Sequence, residues 1–310
     1  MSEPDPRVVS LLPSATELLD AVGAASMLVG RSHECDAPDS VQDRPVLTGQ
    51  RTDATTSADI DAQVREALAS DDSASLYTLD VEQLRALRPD VILTQDLCEV
   101  CSIDLNTVRG VAATMSPAPR IVSLDPKRIE DVFDDVLTVG DAVGCEAAAH
   151  RAMVHLRDRF WSAADMVTPF VDGPVVAFLE WMDPIFVGGH WTPGLIERAG
   201  GRHPLNPEGA KSRRVEPDEL VASAPERLII CPCGYDLAAI RRELTTLTEA
   251  SWWDALPAVR ERAVVLVDGN QLFNRPGPRL VEAFRWLVGW INDRPGLSAD
   301  VDGLVESWAP

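Results

Sequence analysis

Lysine is almost absent from this chain of 310 residues: Lys127 and Lys211 are the only two, and arginine supplies the rest of the 28 basic side chains. Against 49 acidic residues they leave a formal net charge of −21. That balance excludes free nucleic acid and an anionic membrane surface as partners, because either would be approached against like-charge repulsion. No apolar run is long enough to span a bilayer. Met1–Arg7 leads directly into the strand Val8–Leu12, with no basic n-region, apolar h-region or lipobox cysteine. As written, the chain is expected to be soluble and cytoplasmic, and extracytoplasmic only if its true start lies upstream. Its six cysteines are then reduced thiols or ligands rather than structural disulfides. Also absent are a nucleotide-binding loop, a Gly-x-Ser-x-Gly elbow and a His-Glu-x-x-His helix. A hydrolase or an NTPase therefore has no motif behind it, and binding without turnover is the expected activity.

What is present is an alternation of short apolar strands and helices, the pattern of an α/β fold. Its length suggests two domains. The middle of the chain breaks the alternation. Asp125-Pro126 looks like a cap with proline at the first helical position, and Ile129, Val132, Phe133, Val136 and Leu137 follow at helical spacing. After Gly140 and Gly144, a second stripe of Ala148, Met153, Leu156, Phe160 and Ala163 predicts a helix from Cys145 to Met166, roughly 30 Å long. The expected organisation is an N-terminal α/β lobe over 1–124, a helical spine over 125–167 and a C-terminal α/β lobe over 168–310, with a ligand cleft between the lobes.

In the first lobe, Ser14 with Glu17 three residues on reads as a capping box. In the second, the residues from Pro295 onward look peripheral. Two segments recur in order. Glu82–Asp90 followed by a strand matches Asp218–Glu226 followed by a strand, and Thr16–Gly23 matches Pro193–Gly200. This predicts two lobes of like topology with equivalent loops.

Several stretches resemble the class III periplasmic-binding fold, the helical-backbone receptors for metal chelates, and within it the cobalamin-binding proteins of uptake transporters. They are Arg7–Glu17, Val29–His33, Leu79–Leu93, Asp183–Gly188, Ala199–Gly201 and Pro276–Arg279. The resemblance implies a chelate ligand, cobalamin or a related corrinoid, held by a monomeric chain. It also implies an acidic side chain on each lobe that docks onto arginines of an ABC permease. Those carboxylates fall on Glu82 and Asp218, with Glu219 the near alternative, although an acid in a first helical turn is also explained by the helix dipole alone.

In open α/β sheets, ligands meet the loops beyond the carboxyl ends of the strands. That rule selects His33 and Cys35, Cys98 and Cys101, Trp181, His190 and Trp191, Cys231 and Cys233, and the loop Asn270, Phe273, Asn274 and Arg275. Trp181 and Trp191 could lie against a macrocycle face. Gly188-Gly189 before His190 would allow close backbone approach. His33 and His190 could ligate a metal as neutral imidazoles, or serve as ordinary hydrogen-bonding residues. Arg31 and Arg275, with Arg279, could pair with ligand acceptors, and Ser14 opens a helix whose amides offer a modest anion site. Cys35, Cys98, Cys101, Cys231 and Cys233 could together hold zinc or iron. A cytoplasmic metal-binding or thiol-dependent protein or enzyme that uses this Cys/His-lined cleft is the alternative reading; a set of free thiols under loops is the plainer one.

Overall fold

The computed structural model describes residues 4–51, 54–69, 77–96, 103–169 and 171–309. The chain divides into two compact units. Lobe 1 comprises Met1–Thr55, Ala62–Pro126 and Glu130–Leu156, and lobe 2 comprises Thr56–Asp61, Lys127–Ile129 and Arg157–Pro310. Cys98 and Cys101 lie outside the described residues.

The chain begins with β1 (Val8–Ser10), α1 (Pro13–Ala21), β2 (Leu28–Arg31), β3 (Thr48–Gln50), α2 (Ser57–Ala69), β4 (Tyr77–Leu79), α3 (Val81–Leu87), β5 (Val91–Gln95), α4 (Leu105–Ala112) and β6 (Arg120–Leu124). Four strands form a parallel sheet in the order β2-β1-β5-β6, and β3 pairs with β4 antiparallel. The central strands read as unbroken apolar runs, Val8-Val9 and Val91-Ile92-Leu93, because helices cover both faces of a parallel sheet. Val9, Leu47, Leu84, Ile92 and Val108 form one of its cores.

Two sequence expectations are corrected in detail. Ser14 is not a cap: Pro13 occupies the start of α1, Leu12 is the N-cap, and no side chain caps the helix. Proline has no N–H to satisfy, so the first turn does without a capping box. Pro126 likewise does not begin a helix. The two middle helices are α5 (Ile129–Ala142) and α6 (Glu146–Ala164), and α5 starts at the first residue of its apolar stripe.

The rest of the chain runs β7 (Val176–Trp181), β8 (Phe186–Val187), α7 (Thr192–Arg198), β9 (Arg213–Arg214), α8 (Pro217–Ala222), β10 (Arg227–Ile230), α9 (Leu237–Glu243), α10 (Thr245–Thr248), α11 (Pro257–Arg260), β11 (Val264–Val267), α12 (Arg279–Ile291) and β12 (Val305–Trp308). These strands make a sheet in the order β12-β11-β10-β7-β8-β9. Its centre, β7, β10 and β11, is parallel, and the edges are antiparallel. The segment from Pro295 is therefore not peripheral. It returns to form the edge strand β12 on β11. Trp308 stands edge-on to the buried Trp253 at 5.3 Å, an aromatic contact worth about 0.5–1.5 kcal/mol beyond its area.

The internal repeat is reproduced bond for bond. After α3, Asp90 N–H and Val91 N–H both donate to Arg7 O, while Arg7 N–H donates to the Asp90 carboxylate at 2.8 Å. After α8, Glu226 N–H and Arg227 N–H both donate to Val175 O, while Val175 N–H donates to the Glu226 carboxylate at 3.1 Å. α1 and α7 also end alike, at Gly23 (φ 76°) and Gly200 (φ 88°). In each, the glycine and the residue after it donate back to the last turn, to Asp20 O and Leu19 O in one and to Glu197 O and Ile196 O in the other. This is a glycine C-cap that needs the left-handed backbone.

Candidate functional site

In lobe 1 the loops after β1 and β2 are held by short side-chain bonds. The Thr16 hydroxyl donates to Ser10 Oγ at 2.9 Å and lies 3.0 Å from Cys35 Sγ. Cys35 and Ser14 are buried. Arg31 is turned onto its own loop: its guanidinium donates to Ser32 O and Cys35 O, each at 3.1 Å, and to Gln42 O at 2.9 Å. It braces the 32–42 segment, which accounts for the arginine without a ligand. His33, part-buried, meets Thr48 Oγ1 through Nδ1 at 2.7 Å, and its ring lies 5.6 Å from that of Tyr77.

In lobe 2 the loops after β7, β10 and β11 are knitted together. Cys231 N–H donates to Leu179 O, and Cys233 N–H to Glu180 O. Asn274 Nδ2 donates to Cys231 O at 3.0 Å and to Gly269 O at 3.3 Å. A β-carbon on Gly269 would sit 1.9 Å from Pro232 O, so this crossing requires glycine. Glu180 receives the Ser212 hydroxyl at 2.8 Å and Gly189 N–H at 3.4 Å. Burial raises its pKa, and those two donors lower it again. Burial also raises Asp268; the N–H groups of Asn270 and Gln271, which its carboxylate accepts, and the Arg275 charge oppose that rise. Cys231 is fully buried, and its thiol is pushed well up, first by burial and then by Cys233, Glu180 and Asp268. Burial disfavours the charged form of each group, most of all the Cys231 thiolate, so Cys231 is suited to hydrogen bonding rather than to nucleophilic attack.

The predicted residues separate into those that face a strand-end loop and those that the core claims. Trp191 is buried, with its indole N–H donating to Phe273 O at 2.7 Å. Phe273 is fully buried against Phe178 and Trp286. Neither presents a face to a ligand, because each fills the core beneath the loops. Gly189 approaches its own chain rather than a ligand: a β-carbon there would lie 2.3 Å from Ser212 N. His190, at φ 52°, stacks on Trp191 at 5.6 Å. Trp181 is part-buried, 5.4 Å from the Tyr235 ring, and its N–H donates to Ser57 O at 3.1 Å. Asn270 is part-buried on the β11 loop, and Arg275 is buried there.

The thiolate site predicted from the cysteines does not assemble among the described residues. Cys98 and Cys101 lie outside the described residues, and among the described ones no three histidine, cysteine, aspartate or glutamate side chains are grouped to hold a metal ion. Cys35 belongs to lobe 1 and Cys231 and Cys233 to lobe 2. Glu82 and Asp218 are exposed in the first turns of α3 and α8. Glu219 is ion-paired with Arg213, which leaves Asp218 as the less committed carboxylate. Sequence reasoning missed Glu180 and Asp268, although each stands at a strand end and the rule that selected Cys231 reaches them. It also missed Ser32, Thr48 and Tyr77, for which no spacing gave a signal.

The profile of the family described as periplasmic binding protein matches residues 8–270. The chain belongs to the periplasmic binding protein family. A curated relative, the vitamin B12-binding protein of Photorhabdus laumondii, is 22% identical over 290 residues, 93% of this chain and 88% of that protein. Among solved structures, the periplasmic vitamin B12 binding protein of Vibrio cholerae superposes with a TM-score of 0.69 at 17% identity, covering 94% of this chain and 98% of that one. The periplasmic heme-binding protein of Roseiflexus sp. RS-1 superposes with a TM-score of 0.71 at 18% identity, over 94% and 99%. At these identities the fold is shared, while the ligands for which these proteins are named, vitamin B12 and heme, differ. Among the described residues, no helix is long and apolar enough to cross a membrane.

Proposed function

We propose that this protein is the substrate-binding component of an ABC-type importer and that its substrate is a cobalamin-type corrinoid or a related metal chelate. The observation that carries the reading is the end-to-end likeness to a vitamin B12-binding protein over 93% of the chain, within a family match that spans both lobes. Hydrogen-bonding groups at the strand ends of lobe 2, Glu180, Asp268 and Asn274 among them, suit a macrocycle fringed with amides.

Glu82 and Asp218 are the proposed permease contacts. They occupy equivalent exposed positions in the repeated units, and no ion pair holds either among the described residues. The test of the ligand is equilibrium dialysis against cyanocobalamin and against hemin, read together with tryptophan fluorescence. Stoichiometric binding of one of them, at about 1 μM or tighter, supports the reading. Failure of both to bind removes it. The test of docking is charge reversal at Glu82 and Asp218, which should abolish chelate-dependent stimulation of the permease ATPase.

A further inference from the structure

One helical turn is grouped apart from its neighbours in the chain. Thr56–Asp61 belongs to lobe 2, whereas the chain up to Thr55 and again from Ala62 belongs to lobe 1. β3 and β4, which flank α2 in sequence, pair with each other in lobe 1. The first turn of α2 is therefore an excursion from lobe 1 that is seated on lobe 2.

The turn is first closed by its own side chains. Thr56 Oγ1 accepts Asp59 N–H at 3.2 Å and donates to the Asp59 carboxylate at 2.7 Å, a local cap. Ser57, the first helical residue, is then gripped from both sides by lobe 2. Its N–H donates to Glu243 Oε1 at 2.6 Å, and its carbonyl accepts the Trp181 indole N–H at 3.1 Å. Glu243 thus meets an amide that the helix itself leaves unpaired, at the end where its dipole favours an anion. Ser57 is buried, and Ile60 and Trp181 both pack against the lobe 2 core.

Trp181 ends β7, and Tyr235, its ring partner at 5.4 Å, follows β10. Both stand at the carboxyl ends of parallel strands, where ligands of such sheets are met. The turn therefore holds an aromatic side chain that a macrocycle would use. Its own hold is small and incomplete. It consists of two hydrogen bonds to one backbone unit and one isoleucine side chain. Glu243 Oε2 is shielded from solvent with no hydrogen-bond partner, and a buried acceptor left unmet opposes the docked state. Undocking would return that oxygen to water.

We propose that the first turn of α2 is a detachable strap that covers the Trp181 end of the lobe 2 ligand face and is displaced when the chelate binds. The inference rests on the chelate-binding reading above and adds an autoinhibited resting state to it. A chelate that binds only the uncovered face has its affinity reduced by the fraction of molecules in which the strap is off. Loosening the strap therefore tightens binding, which the loss of a merely structural contact does not do.

Ser57→Pro removes the N–H given to Glu243 and puts a residue well suited to the first helical position in its place. Glu243→Ala removes the same bond from the other end. Loss of this charged hydrogen bond is expected to raise the affinity for cyanocobalamin or hemin, by equilibrium dialysis, about 10–100-fold in each variant. In the wild-type protein, amide hydrogen exchange over Thr56–Asp61 should quicken when the chelate binds. That measurement needs neither variant to fold. Exchange that slows or stays the same on binding overturns the strap and leaves the chelate-binding reading standing. So does a folded variant of either kind that binds no more tightly than wild type. If wild type binds neither macrocycle, the reading and the inference both fall.

Discussion

Arg88 and Ala224 share one backbone conformation, the left-handed region, at φ 46° and φ 47°. They hold the same place in the two repeated units, one residue before a proline, between a short helix and the central strand it feeds. In each unit the proline is followed by an acid whose backbone N–H and carboxylate grip the residue ahead of a strand in the same lobe. Two residues separate the left-handed one from the strand, and the acidic clamp fixes the landing.

A left-handed turn at a side chain other than glycine costs about 1–2 kcal/mol. Ala224 is exposed, so its conformation can be probed without disturbing packing. Ala224→Gly is expected to raise stability by up to about 1 kcal/mol, the relief being reduced by the extra freedom of the unfolded glycine. Ala224→Val is expected to lower it by about 1–2 kcal/mol, since a branched β-carbon suits φ > 0 least. Urea denaturation of the pair checks this: valine at or above glycine in stability refutes the role given to the turn.

This turn also shows what the sequence carried. The segments Glu82–Asp90 and Asp218–Glu226 revealed themselves because a helix, a proline, an acid and a strand are local features with local causes. The α/β class followed from the same kind of evidence, as unbroken apolar runs such as Val91-Ile92-Leu93 are needed where both sheet faces are covered. The site was less legible. Trp191 and Phe273 looked available because they follow strands, yet their exposure depends on which way a loop folds back. Here a single N–H to carbonyl bond between them turns both inward. Thr48 bears on His33 across 15 residues of loop, a relation that no periodicity records. Trp308 was assigned to a loose end because a short edge strand is recognisable only once its neighbour is known.

Asp135 on α5 gives a pH dependence. Burial and then the neighbouring charges of Asp131, Asp134 and Asp125 push its carboxyl up to about 7. A carboxyl whose folded pKa is raised binds its proton more tightly when folded, so its contribution is fully present below the unfolded value near 4 and is lost as pH rises through about 7. Each tenfold change in proton affinity is worth about 1.4 kcal/mol, and partial solvent exposure leaves an expected effect of about 2 kcal/mol. Asp135→Asn should therefore match wild type near pH 4 and exceed it in stability by that amount at pH 8. Parallel stability profiles for the two proteins would sink the assignment.

Thiol reactivity tests the lobe 2 loops. Cys233 is exposed while Cys231, two residues away, is buried, with its thiol well above the ordinary range. In a background with Cys98, Cys101 and the partly exposed Cys145 replaced by serine, a disulfide reagent should find one fast thiol, removed by Cys233→Ser. Cys231 should react only with denaturant present, even at alkaline pH, because access and not ionisation alone limits it. Fast modification of Cys231 in the folded protein would mean that these loops open in solution.

Two glycines oppose one another as tests of packing. At Gly269 an added β-carbon would meet Pro232 O at 1.9 Å, a backbone atom that cannot turn away, where the β10 and β11 loops cross. At Gly110, within α4, nothing lies within 4 Å. Gly269→Ala should cost about 2–3 kcal/mol through overpacking and should weaken chelate binding as well, since it displaces the loop that Asn274 ties to Cys231. Gly110→Ala should gain about 0.5–1 kcal/mol from helix propensity alone and leave binding unchanged. Denaturation and dialysis on both variants separate the two effects. If Gly269→Ala is destabilised yet binds as wild type does, the β11 loop is structural and the ligand contacts must be sought on the loops after β7 and β10.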